Sequence, residues 1–266
     1  DLVRSRGLGD VYKRQVQTCW MPEDILSRYC DAGKIELRLW KPEPGDQSKT
    51  ASREWIMEHV PGATALLCIP MNKVDEVVME RAGASLKVIS TMSVGYEHID
   101  CEAARKRGIR IGYTPDVLSG AVADLALLLS LNLMRNVIEG YFTVKDGVWA
   151  SNPWSPLSFC GPALEGKTVG FLGFGSISQT LVRKLMPFRP AKILYQTARP
   201  RPFDMHEDYF RHIAKDDVLQ CYFKCHGRLP VPVENEPDTK RFATHCDVIL
   251  YVLWSEFINY AVLSVR

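Results

Sequence analysis

A glycine-rich segment in the second half of the chain has the residues needed to bind a pyrophosphate. It runs Gly170-Phe-Leu-Gly-Phe-Gly-Ser-Ile-Ser178, between an apolar strand pattern and an amphipathic helix pattern. Glycines let such a turn approach the phosphates, and N–H groups at the helix start meet their charge. Ser178 replaces the third glycine, and an ordinary glycine-rich turn is the alternative. The residues predicted to bind the dinucleotide are Gly173, Phe174, Gly175, Ser176 and Ile177.

The segment after the next strand pattern indicates which dinucleotide is preferred. Where NAD is preferred, an Asp or Glu about 20 residues past the glycines binds the ribose hydroxyls. This chain has Gln196 and Thr197 there, followed by Arg199 and Arg201. Two guanidinium groups and no carboxylate favour the 2′-phosphate of NADP, with NAD as the second choice. Alternatively, both arginines only solvate a proline-rich loop.

A second candidate loop, Ser90-Thr-Met-Ser-Val-Gly-Tyr-Glu-His-Ile-Asp100, follows a strand pattern in the first half. Its small residues can present backbone N–H groups to a carboxylate at the carboxyl end of the strand, where open α/β sheets bind ligands. A plain turn into the next helix explains the pattern equally well. His98 is predicted to be a surface residue at a helix start and not a catalytic base.

Several Cys and His side chains near the C-terminal end have the chemistry of zinc ligands. They are Cys221, Cys225, His226, His245 and Cys246. Their spacing is irregular, so we interpret them as a chance grouping and predict no metal.

Strand and helix patterns alternate along the chain, which predicts parallel sheets. The predicted strands are Ile35–Trp40, Ala65–Ile69, Val88–Thr91, Arg110–Ile111, Thr168–Gly173 and Lys192–Tyr195, and the predicted helices are Val74–Ala82, Asp116–Met134 and Ser176–Met186. The predicted fold is α/β, with Rossmann-type doubly wound parallel sheets in two lobes: a flavodoxin-like substrate lobe and an incomplete dinucleotide-binding lobe.

The predicted boundaries divide the chain into four parts. Residues 1–15 are interpreted as a non-native leader, 16–115 as the N-terminal part of the substrate domain, 116–254 as the dinucleotide-binding domain, and 255–266 as an aberrant tail. Asp116–Met134 is apolar nearly all round and is predicted to be buried, whereas the proline-rich segment Leu229–Pro237 is predicted to be an exposed loop or disordered.

Composition limits the class of protein. Its 33 basic and 31 acidic residues give a net charge of +2, which indicates neither a nucleic-acid nor a membrane partner. The longest apolar stretch, Ala121 to Met134, is shorter than the roughly 20 residues of a membrane span. Scattered cysteines in a chain of this size indicate free thiols and a cytoplasmic location.

Four stretches in this order resemble the D-isomer-specific 2-hydroxyacid dehydrogenases, above all the eukaryotic members that reduce glyoxylate and hydroxypyruvate. They are Leu86–Gly95, Arg107–Leu118, Gly170–Gly175 and Tyr195–Pro202. The resemblance covers positions 60 to 203 well and positions 16 to 59 weakly. It implies a substrate lobe built from both chain ends around an inserted coenzyme lobe, with the active site in the cleft between them.

The resemblance also assigns roles. Val94 and Gly95 match the substrate-carboxylate loop, Gly173 to Ile177 match the pyrophosphate turn, and Arg199 and Arg201 match the region that selects NADP. The implied reaction is hydride transfer between a nicotinamide and carbon 2 of a small 2-oxo or 2-hydroxy acid, in a homodimer. The family's Arg, His and acidic catalytic residues lie in its later portion, so we expect them beyond the chain end, and we expect this fragment to have impaired catalysis.

Two other interpretations remain open at the level of sequence. The chain could be a non-enzymatic dinucleotide-binding or interaction module, which would bind NADP(H) without turnover. Alternatively, positions 204 to 266 could reflect unspliced or frame-shifted coding sequence, because their composition is irregular and the segment is longer than the resemblance predicts.

Overall fold

The computed structural model describes residues 13–19, 24–42, 50–152, 155–156, 158–251 and 261–265. The chain divides into two compact units, Asp1–Val117 and Leu118–Arg266, two residues beyond the predicted boundary at 115/116. Each unit contains its own five-stranded sheet.

The strands of the first unit are β1 (Lys13–Gln17), β2 (Ile35–Leu39), β3 (Ala65–Cys68), β4 (Val88–Thr91) and β5 (Arg110–Gly112). Its helices are α1 (Asp24–Asp31), α2 (Arg53–His59), α3 (Glu76–Ala82) and α4 (Cys101–Lys106). The sheet order is β2-β1-β3-β4-β5, with every pair parallel. This order confirms the predicted flavodoxin-like architecture.

Short helix caps set where the helices of this unit begin. The carboxylate of Asp75 accepts a hydrogen bond from Val78 N (3.2 Å), and that of Asp100 accepts one from Ala103 N (2.9 Å). Each cap satisfies a backbone donor that the first helical turn leaves unpaired. Helix α3 therefore begins at Glu76, two residues later than predicted.

The predicted leader, residues 1–15, extends too far. Lys13–Gln17 forms a parallel strand between β2 and β3, with Lys13 opposite Ile35 and Gln15 opposite Ala65. A central strand pairs its backbone groups on both edges, which a local apolar pattern does not reveal. Residues 1–12 lie outside the described part of the chain.

The strands of the second unit are β6 (Thr168–Leu172), β7 (Lys192–Gln196), β8 (Val233–Asn235), β9 (Val248–Tyr251) and β10 (Ala261–Val265). Its helices are α5 (Ser119–Met134), α6 (Val137–Lys145), α7 (Ser176–Leu185), α8 (Arg211–Ala214), α9 (Asp217–His226) and α10 (Thr239–His245). The order is β10-β9-β6-β7-β8, parallel except for the pairing of β10 with β9. The strand order therefore reverses between β6 and β9, which is where Rossmann-type sheets bind ligands.

The prediction that Leu229–Pro237 is exposed or disordered was wrong. Leu229, Val231 and Val233 are buried, and Val233 pairs with Ile193 of β7. Apolar residues alternate here with Pro230 and Pro232, which is a period-two pattern. Prolines are tolerated because β8 is an edge strand and does not need every N–H group for the sheet.

The structure corrects two further predictions in this unit. Ala261–Val265, assigned to an aberrant tail, forms an antiparallel strand on β9, whereas residues 255–260 lie outside the described residues. Helix α5 is buried only along one face, which includes Ala123 and Met134. Its other face exposes Leu128 and Leu133 in the described structure.

No single described helix is long and apolar enough to cross a membrane. Helices α5 and α6 reach that length and composition only as a pair, which is bent by 70°.

Candidate functional site

The predicted pyrophosphate turn lies at the carboxyl end of β6, beside the point where the sheet order reverses. Gly173 has φ +86°, a backbone conformation that favours glycine. Its N–H group donates to Gln196 O of β7 at 2.9 Å, which fixes the turn against the neighbouring strand. The chain then enters helix α7 directly at Gly175, the N-cap residue.

The start of α7 has donors available for an anion. Its N-cap residue provides no side-chain hydrogen bond, and the N–H groups of Ser176 and Ile177 donate to no described residue. Unpaired N–H groups and the positive end of the helix dipole together favour bound phosphate. The turn therefore has the donors that an anion needs, and its role in binding the coenzyme stays a prediction.

Ser178, which replaces the third glycine of the motif, stabilises the turn through a buried hydrogen bond. It is fully buried, and its Oγ donates to Gly173 O at 2.9 Å. Gln179 adds two further bonds, from Nε2 to Phe174 O (3.0 Å) and to Tyr209 O (2.8 Å). The substitution therefore adds a hydrogen bond to the turn while helix and strand remain closely packed.

The structure places the Phe174 side chain in the core and not against a ligand. Its ring is 1% exposed and stacks on Tyr195, with ring centroids 3.9 Å apart. Phe171 and Phe210 complete the cluster. Of Phe174, only the backbone is available to the predicted coenzyme site.

The two arginines predicted to select the coenzyme have different surroundings. Arg199 is exposed, and its guanidinium forms no hydrogen bond or ion pair with a described residue. Arg201 forms an ion pair with Glu207 at 2.5 Å, and its guanidinium lies 4.2 Å from the ring centre of Tyr209. A phosphate at Arg201 would therefore compete with a carboxylate that sequence reasoning missed.

The predicted substrate loop follows β4 and is held by side chains beneath it. Ser93 Oγ donates to Gly95 O at 2.5 Å, and the Ser93 hydroxyl lies 2.8 Å from Thr91 Oγ1. The N–H groups of Val94 and Gly95 donate to no described residue. Val94 is half-buried and Gly95 is buried, so their binding of a substrate carboxylate stays a prediction.

His98 is not the surface residue that we predicted. It is half-buried, and its Nε2 atom lies 2.9 Å from Thr91 Oγ1 and 3.8 Å from Cys68 Sγ. The ring therefore belongs to the hydrogen-bond network under the substrate loop. Burial raises the pKa of the Cys68 thiol to about 12, so this neighbour stays protonated. Sequence spacing gave no signal of this network, because Cys68 comes from another strand.

The grouped Cys and His side chains do not converge. Cys246 is buried against Leu194 and Phe242, whereas Cys221 and Cys225 are exposed on α9. In the described part of the chain, no three His, Cys, Asp or Glu side chains are placed to hold one metal ion.

Asp216 links α9 to α7, the helix that follows the predicted pyrophosphate turn, and its ionisation predicts that the stability of this unit depends on pH. Burial opposes its ionisation, but hydrogen bonds from Leu219 and Val218 N–H and from Arg183 outweigh burial and lower the pKa of Asp216. Its contribution to stability is present above the ordinary Asp pKa of about 3.9 and is lost as pH falls through the lowered value.

We therefore expect Asp216→Asn, which keeps a capping residue, to lower the free energy of unfolding more at pH 7 than at pH 3. Urea unfolding at both values measures the difference. Asp208→Asn removes an exposed carboxylate that pairs with Arg211 and serves as the control. An equal loss at both pH values for Asp216→Asn would contradict the role given to its charge.

The sequence matches the family model described as "D-isomer specific 2-hydroxyacid dehydrogenase, catalytic domain" over residues 24–255. It is 42% identical over 176 residues to the human glyoxylate reductase/hydroxypyruvate reductase, covering 66% of this chain and 52% of that protein. It is 39% identical to the mouse protein of the same name over 187 residues, covering 70% of this chain and 55% of that protein. The chain thus spans about half the length of the curated relatives it matches.

Solved structures give a similar result. A Thermus thermophilus protein superposes with a TM-score of 0.65 at 30% identity, covering 90% of this chain and 64% of that one. A glyoxylate reductase from Paecilomyes thermophila has a TM-score of 0.67 at 18% identity, covering 92% and 66% of the two chains, which shows similarity of fold alone. The family match extends to residue 255, so it includes most of positions 204 to 266, for which an unspliced or frame-shifted origin was the alternative interpretation.

Proposed function

The chain belongs to the D-isomer-specific 2-hydroxyacid dehydrogenase family, and from that premise we propose that it binds NADP(H) and a small 2-oxo or 2-hydroxy acid. The reaction proposed is reduction of glyoxylate or hydroxypyruvate, or the reverse oxidation. When bound, the nicotinamide supplies or accepts the hydride. One observation carries the proposal: the helix α7 start has unpaired N–H groups immediately after Gly173, at the reversal point of the sheet.

The choice of NADP over NAD is supported by the residues after β7. Gln196 occupies the position where an acidic residue would repel a 2′-phosphate, and its Nε2 is bonded to Pro237 O and Thr239 Oγ1, both at 3.0 Å. Arg199 is exposed beyond it and has no described carboxylate partner. A guanidinium without a competing carboxylate is well suited to pair with the 2′-phosphate.

The choice of a small carboxylate is supported by the substrate loop. The N–H groups of Val94 and Gly95 can donate to two carboxylate oxygens, while Ser93 restrains the loop through Gly95 O. We assign to these groups the orientation of the substrate. The resemblance implies that the family's acid–base histidine lies in its later portion, and among the described residues His98 lies against Thr91. We therefore expect turnover by these 266 residues to be slow, because proton transfer lacks a positioned group.

Homodimer formation and a cytoplasmic location are also proposed. Exposed apolar side chains of α5 and α6 would gain stability from burial against a second copy, and they include Leu128, Leu133, Ile138, Tyr141 and Val144. A reducing compartment is supported by the eight cysteines, all of which have free thiols.

The test is a fluorescence titration of the purified chain with NADPH and with NADH, followed by turnover assays with glyoxylate and hydroxypyruvate. We expect NADPH to bind at least about 10-fold more tightly, equivalent to ~1.4 kcal/mol, with slow turnover. Sedimentation velocity on the same sample measures the mass.

Each outcome has a distinct meaning. Binding without measurable turnover of either acid would favour the alternative of a non-enzymatic dinucleotide-binding module. Failure to bind both nucleotides would contradict the coenzyme site itself. Equal affinity for the two nucleotides would contradict only the assignment of NADP.

A further inference from the structure

The loop that carries Arg199 is anchored at its N-terminal end by Gln196 and Thr197, at the end of β7. Residues 197–200 connect Gln196, the last residue of β7, to Arg201. The Gln196 side chain is anchored to the segment between β8 and α10, as described above. Thr197 Oγ1 donates to Arg199 O at 2.7 Å, inside the loop. The loop therefore leaves β7 in a defined direction.

Its second end is fastened through the backbone of Arg201. The N–H group of Arg201 donates to Asn235 Oδ1 at 3.3 Å, and its carbonyl oxygen accepts from the Tyr195 hydroxyl at 2.5 Å. Asn235 Nδ2 also donates to Tyr195 O at 3.1 Å. Burial raises the pKa of Tyr195, and Tyr209 and Glu207 nearby raise it further against the opposing charge of Arg201, so the hydroxyl keeps the proton that it donates.

The Arg201 side chain is also engaged. Glu207 neutralises its guanidinium, and Tyr209 lies against its face. A phosphate at Arg201 would have to share this guanidinium with the Glu207 carboxylate. Arg199, two residues away, has no such competitor among the described residues.

We propose that Arg201 is a positioning residue, and that Asn235 and Tyr195 hold its backbone so that Arg199 alone meets the 2′-phosphate of NADP(H). The inference rests on the proposed function. We call the hydrogen bonds of Asn235 and Tyr195 to the Arg201 backbone the clamp. A loop that is anchored at both ends loses less conformational entropy when its tip binds a ligand. The clamp therefore strengthens binding of the phosphate-bearing coenzyme selectively. Asn235 lies on β8, in the segment that local sequence patterns failed to place.

The test measures dissociation constants for NADPH and NADH by fluorescence titration of five proteins. These are the wild type, Arg199→Ala, Asn235→Ala, Tyr195→Phe and Glu234→Ala. We expect Arg199→Ala to remove the preference for NADPH. Asn235→Ala and Tyr195→Phe should each weaken NADPH binding about 5-fold and NADH binding less than about 2-fold, because each removes one hydrogen bond to the Arg201 backbone.

Glu234→Ala is the matched control, because Glu234 precedes Asn235 on β8 and its side chain pairs, among the described residues, with half-buried Lys192 at 3.0 Å. It should change neither constant. Tyr195→Phe keeps the ring that stacks on Phe174, so it maintains the test if Asn235→Ala does not fold.

Failure of the inference and failure of the proposed function give different results. A wild type that binds both nucleotides equally overturns the NADP assignment and this inference with it. A preference that Arg199→Ala removes, but that Asn235→Ala and Tyr195→Phe leave intact, overturns the positioning role alone. The positioning role is also overturned if both clamp variants weaken NADPH and NADH by the same factor, because that result indicates a general loss of structure.

Discussion

Gly173→Val is expected to weaken binding of both NADPH and NADH at least about 100-fold. Gly173 adopts φ +86° where the chain turns from β6 into α7. A branched side chain there would separate the phosphates from the N–H groups of Ser176 and Ile177. Losing one or two charged hydrogen bonds costs about 3 kcal/mol, which corresponds to the 100-fold change. Titration of the variant with each nucleotide measures the effect.

The control must separate this loss from backbone strain, which costs about 1–2 kcal/mol for a side chain at positive φ. Gly166→Val provides it. Gly166 has φ +72°, and a Cβ atom there would meet nothing within 4 Å. We expect both variants to lose similar stability in urea, but only Gly173→Val to lose the coenzyme. Wild-type affinity in Gly173→Val, or an equal loss in Gly166→Val, would show that the turn is not the phosphate site.

Gly170→Ala is expected to lower the free energy of unfolding by about 2 kcal/mol, typical of an overpacked core. A Cβ atom on Gly170 would collide with Cys246 Sγ and lie 2.8 Å from Phe242 Cζ. Both side chains are buried, so neither can move aside freely. Thermal and urea unfolding of the variant measure the cost.

The double variant Gly170→Ala/Cys246→Ala tests the contact itself. Removing the sulfur makes room for the new methyl group. The double variant should therefore lose less free energy of unfolding than the sum of the losses of the two single variants. Strict additivity would mean that β6 and Cys246 are not in contact.

The sequence by itself determined the strands and helices whose signals are local. Period-two and helical patterns identified β3, β4, β6 and α7 to within a residue or two, because each pattern reflects the burial of one face of one element. The glycine motif likewise located the turn between β6 and α7, because Gly173 and the helix start are neighbours in sequence. The resemblance to the family, now confirmed, rested on the order of such motifs.

Other features were decided only when distant segments came together. Residues 13–15 of β1 were assigned to the leader, because no side-chain pattern in the sequence records the pairing of this strand with β2 and β3. The sequence predicted that Arg201 is available to a phosphate. In the folded chain its guanidinium pairs with Glu207, and its backbone N–H group donates to Asn235.

His98 shows the same limit in the first unit. Its partner Thr91 is near in sequence, but Cys68 lies on a different strand and reaches the ring only after β3 and β4 pair. Local sequence specifies which backbone shape each segment prefers. Which charges are neutralised, and which donors remain available to a ligand, depends on hydrogen bonds between segments, and these exist only in the folded chain.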